Sequence, residues 1–152
     1  METLKIQIPE GFKVESFNES TGEIKFTPIP KDIKERIITF EDVLKYHVIS
    51  EEKFKNDCIS LSADEIAYIQ LKLIVSALNE GWFPDWEDDD QWKYYPYFYM
   101  DDSSASGRFS FDGSDDRHSF SSVGSRLCFK SHELSDYAAE KFLDIYKTFF
   151  TN

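Results

Sequence analysis

The residues best suited to binding chemistry lie in one short segment between positions 82 and 99. That segment, WFPDWEDDDQWKYYPYFY, holds all three tryptophans and nine of the 25 aromatic residues. Large rigid rings anchor binding surfaces, and carboxylates steer a basic partner towards them. We therefore predict a partner-binding surface in this segment. Its candidate residues are Trp86, Asp88, Asp89, Asp90, Trp92 and Tyr95.

The same aromatic residues also fit an ordinary core strand, so two interpretations stay open. In an extended chain the side chains alternate between two faces, which places the tyrosines at 95, 97 and 99 opposite residues 94, 96 and 98. One face should pack in the core. The other is either covered as well, or forms an exposed platform on which a sugar or a nucleobase stacks.

Acidic residues are concentrated in the same part of the chain. Positions 84–116 hold ten acidic and two basic residues, in a chain whose formal net charge is −12. This charge argues against direct nucleic-acid binding, because an acidic surface repels phosphates. The acids either keep an aromatic sheet soluble or imitate a phosphate backbone for a basic, nucleic-acid-binding protein.

Residue spacing gives less support to metal binding or catalysis. Consecutive acids converge poorly on a cation, and neither WEDDDQW nor DGSDDRH follows the ligand spacing of an EF-hand loop. His47, His118 and His132 lie in unrelated segments, and VGSRL is not the G-x-S-x-G turn of a serine hydrolase. We assign no metal, no cofactor and no catalytic residue. An enzyme site built from scattered residues, such as His118 with Asp115 or Asp116, is the third alternative.

The cysteine content and the hydropathy predict a compartment. Cys58 and Cys128 lack the spacing of a metal knuckle or a redox pair, so we expect reduced, partly buried thiols. The N-terminus METLKIQIPEGFKV has no apolar core of a secretory signal, and no stretch approaches the ~20 apolar residues of a membrane helix. We expect a cytoplasmic protein with no membrane contact.

The elements that must position the candidate site can be read from periodicity and capping residues. LKIQIPEGFKVESFNESTGEIKF alternates like a hairpin around NESTG. Thr39 can cap a short helix through EDVLKYH, with Asp42 at the third position after it as a weaker match than Glu to a capping box. Ser62 with Glu65 can open a long helix that ends near Gly81. Strands are predicted at KYYPYFYM, broken or edged at Pro96, and then at GRFSF and SRLCFK, before a final helix over 131–150.

These elements predict one α+β domain over residues 1–152. Their order is ββααβββα, with a mainly antiparallel sheet of about five strands, two long helices and one or two short ones. In the long helix, the polar positions Glu65, Lys72, Ser76 and Asn79 form one narrow stripe, so several elements should bury the rest.

Three phrases of the sequence are distinctive: ALNEGWFPDW, KYYPYF and VGSRLCFKSHELSDYAAEKFLDIYKTFF. Through them the chain, from Ser62 to its C-terminus, resembles a family of small uncharacterised proteins encoded in phages and mobile elements of Bacteroidetes. EGW-x-PDW and VGSRLCFKS are the most specific parts. The resemblance implies a bacterial host cell as the setting, and either an accessory factor acting on a host protein or a particle-associated component. It transfers no catalytic residue.

The sequence as a whole predicts a non-enzymatic, phage-type accessory protein that binds a host or phage protein through its acidic, aromatic-rich surface. The alternative is a module that binds a sugar or a nucleobase.

Overall fold

The computed structural model describes residues 6–28, 32–100, 109–117 and 126–152. The chain divides into two compact units, Met1–Asp32 and Ile33–Asn152. The expectation of a single domain over 1–152 stays a prediction.

The first unit is an antiparallel hairpin of β1 (Phe12–Asn18) and β2 (Glu23–Pro28). The Asn18 side chain builds the turn, since its Oδ1 accepts hydrogen bonds from the backbone N–H of Ser20 at 3.0 Å and of Thr21 at 3.3 Å. The predicted hairpin around NESTG is confirmed, but its first strand begins later than the alternation suggested. Ile6 and Ile8 lie outside the strand because a turn between Pro9 and Phe12 separates them from it. Leu4 lies outside the described residues.

Six helices are described in the second unit, and local capping explains where most of them begin. They are α1 (Ile33–Arg36), α2 (Phe40–Tyr46), α3 (Glu51–Asp57), α4 (Ala63–Asn79), α5 (His132–Lys141) and α6 (Leu143–Thr151). Capping boxes at Thr39 with Asp42 and at Ser62 with Glu65 are confirmed. None of these helices is long and apolar enough to cross a membrane.

The predicted C-terminal helix is two helices, because the chain breaks at Phe142. This residue has φ −115° and ψ 30° and is buried in the core. The break lets α5 pack against the strands of the second unit, while α6 packs along α4.

The second unit contains one further hairpin, of β3 (Lys93–Tyr99) and β4 (Ser110–Arg117). β3 continues through Pro96, so of the two predicted outcomes the strand is edged, not broken, at this residue. Tyr94 exchanges both of its backbone hydrogen bonds with Phe129, so the even-numbered residues of β3 direct their backbone groups away from β4. Pro96 therefore removes no bond of the β3–β4 ladder.

The predicted sheet of about five strands is not what the described residues form. They form two separate two-stranded sheets, in the element order ββααααββαα. The strand expected at SRLCFK is reduced to the single bridge between Tyr94 and Phe129. The α+β class is confirmed.

The core of the second unit surrounds α4, as its nearly continuous apolar surface predicted. Leu71, Ile74 and Leu78 are fully buried, and α2, α5 and α6 pack on this helix. Asn79 departs from the predicted polar stripe, because it is only 2% exposed. Its Nδ2 donates to the Cys128 carbonyl at 2.9 Å, and its Oδ1 accepts from the Lys130 N–H at 3.0 Å. Asn79 thus holds the segment that bridges to β3.

Candidate functional site

The acidic loop, residues 82–92 between α4 and β3, is folded by its own side chains. Asp85 Oδ1 accepts from the Glu87 N–H and Asp88 Oδ1 accepts from the Asp90 N–H, both at 2.9 Å. Gln91 Oε1 accepts from the Asp85 N–H at 2.6 Å and closes the loop. Asp85 and Asp88 therefore shape the chain through local turns, as Asp commonly does.

The buried side chain of Lys93 holds this loop from the protein interior, a role that sequence reasoning missed. Its side chain is fully buried at the start of β3. The Nζ donates to the Asp88 carbonyl at 3.1 Å and lies 5.4 Å from the centroid of the Trp86 ring. A buried ammonium needs such partners, since leaving water is costly for a charge. The loop consequently wraps around a fixed cation.

The predicted binding residues divide into exposed and supporting ones. Asp88, Asp89 and Asp90 are exposed, and Trp92 is 43% exposed. Trp86 is half-buried over Lys93. Tyr95 is half-buried too and lies in a cavity described below. Phe83 was not among the candidates, yet it is 77% exposed in the same loop.

A cavity of about 550 Å³, here called the hairpin cavity, lies beside β3. Its apolar lining consists of Pro96, Phe98, Met100, Leu127, Phe149 and Phe150. Its polar lining consists of Tyr95, Tyr97, Asp115, Arg117 and Tyr146. The cavity thus joins the end of the β3–β4 ladder to the C-terminal end of α6.

Three polar side chains of the cavity contact one another. Arg117 forms an ion pair with Asp115, and its Nη2 donates to the Tyr97 hydroxyl oxygen at 3.4 Å. Burial raises the pKa of Asp115, but the backbone N–H of Asp116 and the charge of Arg117 outweigh it, so the pKa lies below its ordinary value. Asp115 therefore stays a carboxylate at neutral pH, and it accepts hydrogen bonds.

Tyr146 is the deeply buried polar residue of the cavity lining. It is 2% exposed, and its ring lies 4.8 Å from that of Phe98. The hydroxyl is buried, and no described residue offers it a hydrogen-bond partner. Burial raises the pKa of this hydroxyl well above its usual range. Tyr146 is thus a neutral group that retains an unused donor and acceptor.

Both cysteines are buried, and neither forms a disulfide. Burial raises the pKa of the Cys128 thiol, although a hydrogen bond with Tyr95 and the nearby charge of Lys93 partly oppose this shift. The thiol therefore stays protonated at neutral pH, which makes it a poor nucleophile.

A second polar cluster joins β4 to α5. The Asp136 carboxylate accepts from the Ser114 hydroxyl at 2.7 Å and contacts His132 Nδ1 at 2.9 Å. The carboxylate therefore lies between the serine and the imidazole, whereas a serine nucleophile needs the imidazole itself as its neighbour. His47 Nε2 lies 2.9 Å from the Leu73 carbonyl oxygen, and His118 lies outside the described residues.

Across ranges 6–28, 32–100, 109–117 and 126–152, no three His, Cys, Asp or Glu side chains are grouped so that they could hold a metal ion. In the acidic loop, the carboxylates of Asp85 and Asp88 instead accept backbone hydrogen bonds.

Comparisons with known proteins add no relative to this geometry. No family model, no curated protein and no solved structure matches the chain. The resemblance to phage and mobile-element proteins stays a prediction from the quoted phrases.

Proposed function

We propose that this protein binds a protein partner through the acid–aromatic surface, which consists of Phe83, Asp88, Asp89, Asp90 and Trp92. The observation that supports it is the exposure of two large rings beside three exposed carboxylates. Exposed rings lose contact with water when a partner covers them, and rigid aromatic residues dominate the energy of many interfaces.

The internal hydrogen bonds of the acidic loop support the same proposal. Binding costs less conformational entropy when the surface is already ordered. The bonds of Asp85, Asp88 and Gln91, together with the buried Lys93, hold this loop in one shape.

The charge of the surface defines the partner. Three adjacent carboxylates in a chain of net charge −12 attract a basic surface and repel an acidic one. A basic, nucleic-acid-binding protein of a bacterial host or a phage fits this requirement, with the acids in the place of phosphates. We place the encounter in the bacterial cytoplasm, where a phage-type accessory factor would meet such a protein.

Affinity capture from host lysate tests the proposal. The tagged protein is compared with the triple variant Asp88→Asn, Asp89→Asn, Asp90→Asn, in which the amide oxygens can still accept the turn hydrogen bonds. The matched control removes three exposed acids elsewhere, through Glu52→Gln, Glu140→Gln and Asp144→Asn. Each captured protein is then purified and its affinity measured directly.

We expect a partner that is lost in the triple variant and retained by the charge-matched control. Its affinity should fall between about 0.05 and 0.3 M salt, because screening weakens exposed charges. Phe83→Ala with Trp92→Ala should also abolish capture, while Val48→Ala with Ile59→Ala, at residues 91% and 85% exposed, should not. Equal capture by all variants would remove this surface from consideration.

A second candidate function, small-molecule binding, is favoured by a different observation. The hairpin cavity has the volume and the mostly apolar lining of known ligand sites, which span about 300–1,000 Å³. None of its lining residues except Tyr95 belongs to the predicted partner-binding set. The two functions can therefore be tested separately.

A further inference from the structure

A bulge in β1 gathers the apolar side chains of the N-terminal hairpin, β1–β2, on one face. Cross-strand partners share a face, and so do residues two positions apart in a regular strand such as β2. The register shifts between Val14 and Ser16, so the extra residue Glu15 turns Phe17 onto the face of Val14. The resulting N-terminal apolar face consists of Phe12, Val14, Phe17, Ile24, Phe26 and Pro28.

The two faces of this hairpin differ in polarity, as in a sheet that is covered on one side and meets water on the other. The N-terminal apolar face is nevertheless exposed in the single chain, by 40% at Phe12 and at Val14, 58% at Phe17 and 36% at Phe26. A two-stranded hairpin alone is at best marginally stable, so this face needs a further layer against it. The pairs on the opposite, polar face are Lys13–Thr27, Ser16–Lys25 and Asn18–Glu23.

The N-terminal apolar face is complementary to a second copy of itself. Each of its three cross-strand pairs joins a phenylalanine to a smaller residue, which is Pro28, Val14 or Ile24. When a second hairpin is turned over about an axis parallel to the strands, β1 of one copy lies over β2 of the other. Each phenylalanine then faces the smaller member of the same pair in the other copy, so that large and small side chains interdigitate.

Charge also favours contact between copies at this hairpin. Residues 12–28 carry three acidic and two basic side chains, a net charge of −1, whereas residues 84–116 carry −8 and the whole chain −12. Identical acidic chains repel each other, and the repulsion is weakest where the approaching surfaces are nearly neutral. The N-terminal apolar face offers a basic partner no electrostatic gain, while another copy meets little repulsion there.

The exposed area sets the expected strength of the contact. The three phenylalanines alone expose about 250–300 Å², if a whole side chain has about 200 Å². With the smaller residues of the face, two copies would together bury about 800–1,000 Å², which is less than the roughly 1,200–2,000 Å² of stable interfaces. We therefore expect modest affinity, with a Kd of about 10–100 µM.

We infer that this protein forms a two-fold dimer in which the N-terminal apolar faces of two copies pack against each other, about an axis parallel to the strands. The inference concerns neither the acid–aromatic surface nor the hairpin cavity. It therefore stands or falls separately from both candidate functions.

Sedimentation velocity of the full chain at about 1–500 µM, a range that spans the expected Kd, tests the inference. The dimer fraction should rise with concentration. It should also rise between about 0.05 and 0.5 M salt, because screening reduces the repulsion between two acidic copies. This salt dependence is the opposite of that expected for the acid–aromatic surface.

Charged substitutions in the face should raise the Kd. Phe17→Glu and Ile24→Lys should each do so at least about tenfold, because dimerisation would bury an unpaired charge. Ser16→Glu is the matched control, since it adds the same charge to the polar face opposite Lys25. It should leave the Kd unchanged.

Mixing Phe17→Glu with Ile24→Lys tests the arrangement of the two copies. In the mixed dimer, the new carboxylate at position 17 of one copy faces the new ammonium at position 24 of the other. The second pair of facing residues is the native one. The mixture should therefore dimerise although each variant alone does not, a rescue that an unfolded hairpin cannot give.

Three results would overturn the inference. They are a monomer over the whole concentration range, a dimer that Phe17→Glu leaves intact, and a mixture that associates no better than either variant alone. A monomer whose lysate partners are lost on Phe17→Glu would assign the face to a different protein instead. A monomer that floats with neutral phosphatidylcholine vesicles would assign it to a lipid surface.

Discussion

Replacing Lys93 with methionine tests whether a buried cation organises the acidic loop. The change keeps the long side chain but removes the ammonium. It loses a charged hydrogen bond to the Asp88 carbonyl, about 1.5–3 kcal/mol. It also loses the contact with the Trp86 ring, about 1–2 kcal/mol for a desolvated pair.

The desolvation penalty of the buried ammonium opposes these two losses and is of similar size. Lys93 is fully buried, and desolvation of an ion costs several kcal/mol that the methionine does not incur. The terms nearly cancel, so we expect the free energy of unfolding to change by less than about 2 kcal/mol. The loop should nevertheless loosen, because the ammonium contacts both the Asp88 carbonyl and the Trp86 ring.

Urea denaturation followed by circular dichroism gives the stability, and hydrogen exchange gives the order of the loop. The amides of Glu87 and Asp90 should exchange faster in Lys93→Met, and Trp86 fluorescence should change. Lys130→Met is the matched control, since Lys130 lies outside the loop and pairs with Glu80. A loss above about 3 kcal/mol would contradict the balance of terms, and so would unchanged exchange in the loop.

Two further substitutions test strain and burial. Val48 is 91% exposed and has φ 57°, a left-handed conformation that disfavours β-branched residues, so Val48→Gly should raise the free energy of unfolding by about 0.5–1 kcal/mol. A urea midpoint below that of the parent would contradict this. Tyr146→Phe should stabilise the free protein by about 1 kcal/mol, because it removes an unpaired buried hydroxyl. Burial raises the pKa of the Tyr146 hydroxyl in the folded protein above its value of about 10 in the unfolded chain. The free energy of unfolding of the parent protein is therefore unaffected by this group below about pH 10 and falls as the pH rises above it. The difference in free energy of unfolding between Tyr146→Phe and the parent should therefore grow in alkaline solution. If urea denaturation shows the same fall in stability with pH above about 10 for both proteins, this expectation is refuted.

Local chemistry made part of the fold predictable. The capping boxes at Thr39 and Ser62 depend on residues three positions apart, so the sequence shows both partners at once. Asn79 illustrates the opposite case. Its partners are Cys128 and Lys130, 49 and 51 residues away, and helical periodicity could only place it on a polar stripe.

The candidate site divides in the same way. Exposure of Asp88, Asp89 and Asp90 follows from their charge and was predictable. The burial of Lys93 was not, because one base among acids suggests a solvated ion pair. Residues of β4 line the hairpin cavity together with Phe149 and Phe150 near the C-terminus. No local sequence pattern predicts that these distant residues lie close together.

The β3–β4 register brings two basic residues opposite each other at one end of the hairpin. Lys93 lies directly opposite Arg117, and like charges at opposing positions destabilise a hairpin. Asp115 pairs with Arg117 and so relieves this repulsion. Asp115→Asn should then cost more in the parent than in Lys93→Met, where one of the two cations is already absent. A double-mutant cycle in urea should give a coupling of about 0.5–1 kcal/mol, and strictly additive effects would show that Asp115 does not shield Lys93 from Arg117.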